Sequence, residues 1–251
     1  MSSPRRGWSA PPRARARAGT WWSPPVSDPS SEPVQSQEPP VLEGALRSAA
    51  EEMFGDRLES AVRFVDHLSS TGIEWGLLGP REVPRLWERH VLNCAVVGDL
   101  FAEGALVADV GSGAGLPGLA LALARPDSQF ILIEPLERRV AWLDMVVEDL
   151  GLENVDVVRA RSEQVVGNIA VDIVTARAVS ALKSLLPLTV PLLQGSGELL
   201  AIKGRSADQE IAAAAKTLKR FKCSAPEIET VGADLLDEPT TVVRVRVGAG
   251  R

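Results

Sequence analysis

The chain has 251 residues, 45% apolar and 24% charged, which suits one large folded domain or a domain with a small appendage. No apolar run reaches the roughly 18 residues of a membrane span. Two distant cysteines, Cys94 and Cys223, form neither a disulfide framework nor a zinc motif, so the expectation is a metal-free protein of a reducing cytoplasm.

The net charge of −6 is unevenly spread. Residues 1–40 carry five arginines against Asp28, Glu32 and Glu38, a balance of +2, which leaves −8 on the remainder. An acidic body argues against indiscriminate nucleic-acid binding but allows a local basic face. With only His67 and His90 and no tyrosine, the chain has little material for a histidine-based triad or metal centre.

Residues 1–40 are rich in Pro, Ser and Arg and lack an apolar period, which predicts a disordered segment. A solvated tail, an arginine arm on RNA phosphate and an organellar transit peptide all fit that composition. Residues 41–102 read as a helical subdomain. Leu58, Val62, Val65 and Leu68 recur at helical spacing, with Gly72 as the expected stop. In "REVPRLWERHVLNCAVVGDLF", Leu86, Val91 (or His90), Leu92 and Val96 lie on or near one face, while Arg81, Arg85 and Arg89 repeat every four residues. That stripe fits either a solvated helix face or a phosphate contact.

From residue 103 to 251 the pattern changes to alternating strands and helices. "ALVADVG", "FILIE", "VDVVRA", "VDIVTAR" and "GELLAIKG" are short apolar runs separated by helical or glycine-bounded segments. "TTVVRVRVG" at the end alternates and suits an antiparallel edge. Repeated βα units predict a doubly wound α/β domain with a mostly parallel sheet and a helical N-terminal extension.

"DVGSGAGLPG" follows the first of these strands and opens a helix, the place where open α/β sheets bind ligands. A phosphate-binding P-loop would need lysine where Leu119 stands. A dinucleotide fingerprint would need glycine where Leu116 stands. The spacing present is G-x-G-x-G, at Gly111, Gly113 and Gly115, which suits a ligand with an amino-acid end and a ribose. Asp109 could then accept a bond from an ammonium. Glu134 closes the second strand, 23 positions after Gly111, where an acid can accept both ribose hydroxyls. Ser162 and Glu163 follow the third strand, where an adenine edge would lie. The three features in register point to S-adenosylmethionine.

"RHVLN", "DVGSGAGLPG", "RARSE", "TARAVS" and "AIKG" together resemble the ribosomal RNA small subunit methyltransferase G family, also called glucose-inhibited division protein B. The likeness spans about residues 54–247. It implies a class I methyltransferase fold and methylation of N7 of one guanine in 16S rRNA. It also implies cofactor contacts at Gly111, Leu116, Ser162, Glu163 and Arg177, with Glu134 on the ribose. Basic residues near the RNA would be Arg89, Arg161, Arg177 and Lys203. Arg205 joins them as a cation just beyond a strand end. The partner implied is 16S rRNA, in the 30S subunit or its assembly precursor, with the enzyme as a monomer. "GLLGPREV" and "LNC" in the extension depart from the family's usual N-L-T and L-D-S. Two rival functions use the same core: methylation of a small acidic metabolite, and a non-catalytic role in ribosome assembly.

Overall fold

The computed structural model describes residues 38–248. The tail reading at residues 1–40 therefore lies almost wholly outside the described residues. The described part opens with α1 (Gly44–Phe54), α2 (Leu58–Ser69) and the short α3 (Thr71–Glu74). Ala61, Phe64, Val65 and Leu68 form the buried stripe of α2, and Leu58 and Val62 pack on its margin. The helix stops at Ser69 rather than at Gly72, because Gly72 is built into α3.

Residues 80–100 form one irregular helical run. A 3₁₀ segment (Pro80–Arg85) leads into a π-helical segment (Leu86–Leu92), then α4 (Asn93–Ala95) and a second 3₁₀ segment (Val96–Leu100). The expected face is buried: Leu86, Val91, Leu92 and Val96 are each at most 1% exposed. Arg81, Arg85 and Arg89 are all exposed.

The rest of the described chain is built on a seven-stranded sheet: β1 (Leu106–Val110), β2 (Gln129–Ile133), β3 (Val155–Val158), β4 (Ile173–Arg177), β5 (Gly197–Lys203), β6 (Glu227–Val231) and β7 (Thr240–Val247). Its order is β3-β2-β1-β4-β5-β7-β6. The first five are parallel and β7 runs antiparallel to β5 and β6. The sheet does end antiparallel, but the outermost strand is β6. Its "EIETV" lacks the apolar alternation that marks a half-buried strand, so periodicity did not reveal it.

Strand alternation splits the core in two. Val107, Phe130, Leu132 and Leu200 face α5 (Gly118–Ala124), α6 (Glu137–Leu150) and the N-terminal helices. Ala108, Ile131, Val174 and Ala201 face α8 (Leu182–Thr189) and α9 (Ala207–Arg220). The extension thus shares one continuous apolar core with the sheet. Trp142 of α6, fully buried, ties the two by donating from Nε1 to Thr71 Oγ1 at 3.0 Å.

Candidate cofactor site

All five parallel strands end on one side, and the predicted residues follow those ends in order. After β1, Gly111, Gly113 and Gly115 have φ of +74°, +54° and +75°, in the left-handed region open to glycine at little cost. A side chain at Gly115 would overlap Leu119. One at Gly118 would sit 2.6 Å from Asp109 Oδ2, so the helix can start only where it meets the strand closely. The N–H of Gly111 donates to Ile133 O at 2.8 Å, which stitches the loop to the end of β2. Pro117 stands at the N-cap of α5, one position ahead of its first turn. Leu116 is 9% exposed and forms part of the packed floor.

Asp109 does not reach the ligand side. It is 0% exposed and accepts from Gly118 N at 3.1 Å and Thr175 Oγ1 at 3.3 Å. Burial pushes its pKa up to about 6, against the pull of hydrogen bonds from Ser112, Gly118 and Thr175. Its task is to pin the start of α5 to β1 and β4. The ammonium contact expected from sequence is therefore replaced by an internal one, because the carboxylate points under the loop.

Glu134 lies directly after β2 and is 1% exposed. Its Oε2 accepts from Gly113 N at 3.0 Å, and its Oε1 accepts from Leu136 N at 3.0 Å. The Arg139 guanidinium stands 3.6 Å from Oε2. Each carboxylate oxygen has a second lone pair, which leaves it able to accept a further hydrogen bond. Arg139 was not anticipated. Its only sequence signal is its place in the first turns of the helix that follows Glu134.

Ser162 and Glu163 open α7 (Ser162–Val165), close beyond β3. Ser162 is buried, with Oγ donating to Glu163 Oε2 at 3.3 Å, while Glu163 is exposed. Arg161 and Arg205 are exposed at the same end of the sheet.

The two cations on β4 and β5 are bound inward. Arg177 Nη1 donates to His90 O at 3.2 Å and to Cys94 Sγ at 3.0 Å, and Nη2 reaches His90 Nδ1 at 2.6 Å. Arg177 thereby grips the extension. Lys203 has 9% of its side chain exposed and bonds Ser180 O at 2.7 Å and Glu210 Oε2 at 2.8 Å. Lys203 therefore tethers the loop after β4 rather than presenting a free charge to RNA. Glu210 also accepts from Leu182 N at 2.8 Å, and these contacts hold its pKa low against the cost of burial.

The comparisons with known proteins supply the lineage of this loop, acid and strand order. The family model for rRNA small subunit methyltransferase G (GidB) matches residues 57–235. The chain belongs to the GidB family. A relative from Arthrobacter sp. (strain FB24), named Ribosomal RNA small subunit methyltransferase G, is 63% identical over 206 residues, 82% of this chain and 95% of its own. The GidB protein of that name from Streptomyces avermitilis is 51% identical over 79% of this chain and 84% of its own length. Among solved structures, a predicted O-methyltransferase of Agrobacterium tumefaciens aligns with a TM-score of 0.50 at 17% identity, covering 62% of this GidB chain and 81% of its own. That likeness is one of fold.

Proposed function

We propose that this GidB-family chain transfers a methyl group from S-adenosylmethionine to N7 of a single guanine in 16S rRNA. One observation carries the cofactor assignment: a buried carboxylate, Glu134, sits beneath a loop of three left-handed glycines and retains lone pairs for a ribose. The open side of Gly113, where an added Cβ would approach nothing closer than Gly111 O at 3.8 Å, supports a ligand laid against the backbone. The absence of a lysine in the loop and the charge of Glu134 both disfavour a polyphosphate. Membership of the GidB family supports the rRNA substrate.

When bound, the cofactor supplies an electrophilic sulfonium methyl. The residues then have a task of placement. Gly111, Gly113 and Gly115, with Leu116 beneath, shape the floor; Glu134 orients the ribose; Ser162 and Glu163 border the adenine side. Guanine N7 has a free lone pair in the neutral base, so no side chain need remove a proton before attack. In-line placement of that kind is worth up to about 7–11 kcal/mol in well-oriented systems. The deep major groove of A-form RNA hides N7, so the target must be an unstacked guanine in a loop. Exposed Arg89, Arg161 and Arg205 hold the flanking phosphates, and Arg177 completes the rim near the cofactor. The enzyme acts in the cytoplasm as a monomer, on the 30S subunit or its precursor.

The deciding assay supplies cofactor with a labelled methyl group to 30S particles and to naked 16S rRNA, then maps the label. Label at one guanine N7 is expected. Label on a small acidic metabolite but not on RNA would move the activity to a metabolite. RNA binding without turnover would leave an assembly factor.

A further inference from the structure

His90 is a buried titratable group that the methyl transfer leaves without a task, and 9% of its side chain is exposed. Its ring bridges the extension and the sheet. Nδ1 lies 2.6 Å from Arg177 Nη2, and Nε2 lies 2.8 Å from Glu82 Oε2. A guanidinium has only donors, so Nδ1 must be the unprotonated nitrogen, and Nε2 carries the proton given to Glu82. The tautomer is dictated from both sides.

We propose that His90 is a positioning residue for the methyl transfer: as the Nε2–H tautomer it holds the Arg177 guanidinium at the carboxyl end of β4, and Glu82 in turn holds the imidazole. The proposal rests on the function assigned above. Arg177 ends β4 beside the glycine loop, and Val179, two residues on, would meet a Cβ added at Gly111 at 2.9 Å. Fixing Arg177 therefore fixes the segment that borders both cofactor and incoming base. It also couples the extension, which carries Arg89 beside His90, to the reaction centre.

The charged groups facing the imidazole are Glu82, Arg177 and the neighbouring Arg89, and Cys94 shares Arg177. A second proton on His90 would have to sit on Nδ1, against the guanidinium. Burial and Arg177 together hold the His90 pKa below its ordinary value, although Glu82 pulls the other way. The grip on Arg177 is thus intact at neutral pH and is released as the pH falls through that lowered value.

The test uses the full chain with 16S rRNA particles and compares wild type with His90→Asn and His90→Leu. Asparagine places an amide oxygen near the Nδ1 position and keeps an acceptor for Arg177; leucine fills the space without one. Measured are kcat and KM for RNA, Kd for S-adenosylhomocysteine, the thermal midpoint, and the ¹⁵N NMR titration of the chain's two histidines. His90→Leu should lower kcat by as much as about a hundredfold, the scale of a small misplacement near a reaction centre, and His90→Asn should recover most of it. Wild-type activity should show an acid limb that tracks the His90 signals and is missing in His90→Asn. Asp109 titrates nearby, so the difference between the two profiles is the quantity read.

Wild-type kinetics in a folded His90→Leu variant would overturn the proposal. So would an Nδ1–H tautomer at neutral pH, or a His90→Asn variant no better than leucine. Should the leucine variant fail to fold, the NMR tautomer and the His90→Asn profile still decide. A wild-type enzyme that leaves RNA unmodified would sink the functional assignment instead, while the NMR result would stand.

Discussion

The β1–β2 side of the sheet's carboxyl end and the β4–β5 side border the proposed cofactor site with different materials. On the first side the groups are backbone and carboxylate: three glycines at positive φ, two N–H donors on Glu134, and Asp109 locked beneath. On the second they are long cations folded back on the protein, with Arg177 on the extension and Lys203 on Glu210 and Ser180. Ala178, between them, has φ +56°, and the buried Ser180 Oγ has no hydrogen-bond partner among the described residues. One half is preorganised by main-chain geometry. The other depends on side-chain pairs made across distant parts of the chain.

The largest expected effect breaks the rigid half. Gly115→Ala combines a left-handed φ with overlap on Leu119, and should cost roughly 2–5 kcal/mol of stability. Denaturant unfolding reads that loss, and calorimetry should show S-adenosylhomocysteine binding gone. Unchanged binding would mean that the loop shape is not what the cofactor needs.

Asp109 tests the same half through pH. Its carboxyl is raised from 3.8 to about 6, so the folded state keeps a proton that the unfolded chain has already lost. Stability attributable to it therefore falls as pH rises from 4 to above 6, by up to about 3 kcal/mol. Asp109→Asn removes that dependence, so the difference in unfolding free energy between variant and wild type should change across this window. A constant difference would show that the carboxyl is not held as described.

Glu134→Ala is next. It leaves two N–H donors unpaired and removes the ribose acceptor, so cofactor affinity should fall by about 1.5–3 kcal/mol, roughly tenfold to over a hundredfold. Equilibrium dialysis against labelled cofactor measures it directly.

The smallest effects separate inward from outward cations. Lys203→Met should cost about 1–3 kcal/mol of stability by stranding Glu210, yet leave the salt dependence of RNA binding unchanged. Arg205→Ala and Arg161→Ala should do the reverse, each lowering the slope of log K against log salt by about 0.7–0.9. Equal slopes for all three variants would erase the distinction between the two kinds of cation.

Local chemistry is what a sequence displays, and the elements that rest on it were legible. The five parallel strands announced themselves as apolar runs, and the loop announced itself by glycines that only a left-handed turn requires. Glu134 could be placed because strand length and spacing put it at a carboxyl end beside the loop. β6 was missed because an exposed edge strand needs no apolar alternation; it is defined by its pairing with β7. The contacts of Arg177 with His90 and of Lys203 with Glu210 were missed for a related reason. The first joins residues 87 positions apart, and no local pattern encodes such a distance.

The sequence by itself determined the fold class, the glycine loop and its acid, and the resemblance to a methyltransferase family. These depend on residue type and short spacing, which packing does not alter. Only the tertiary structure decided which charges face outward. Burial makes an unpaired charge costly, so Asp109, His90, Arg177 and Lys203 turn toward whatever partners the packed core supplies. Those partners come from distant parts of the chain, and folding alone brings them within reach.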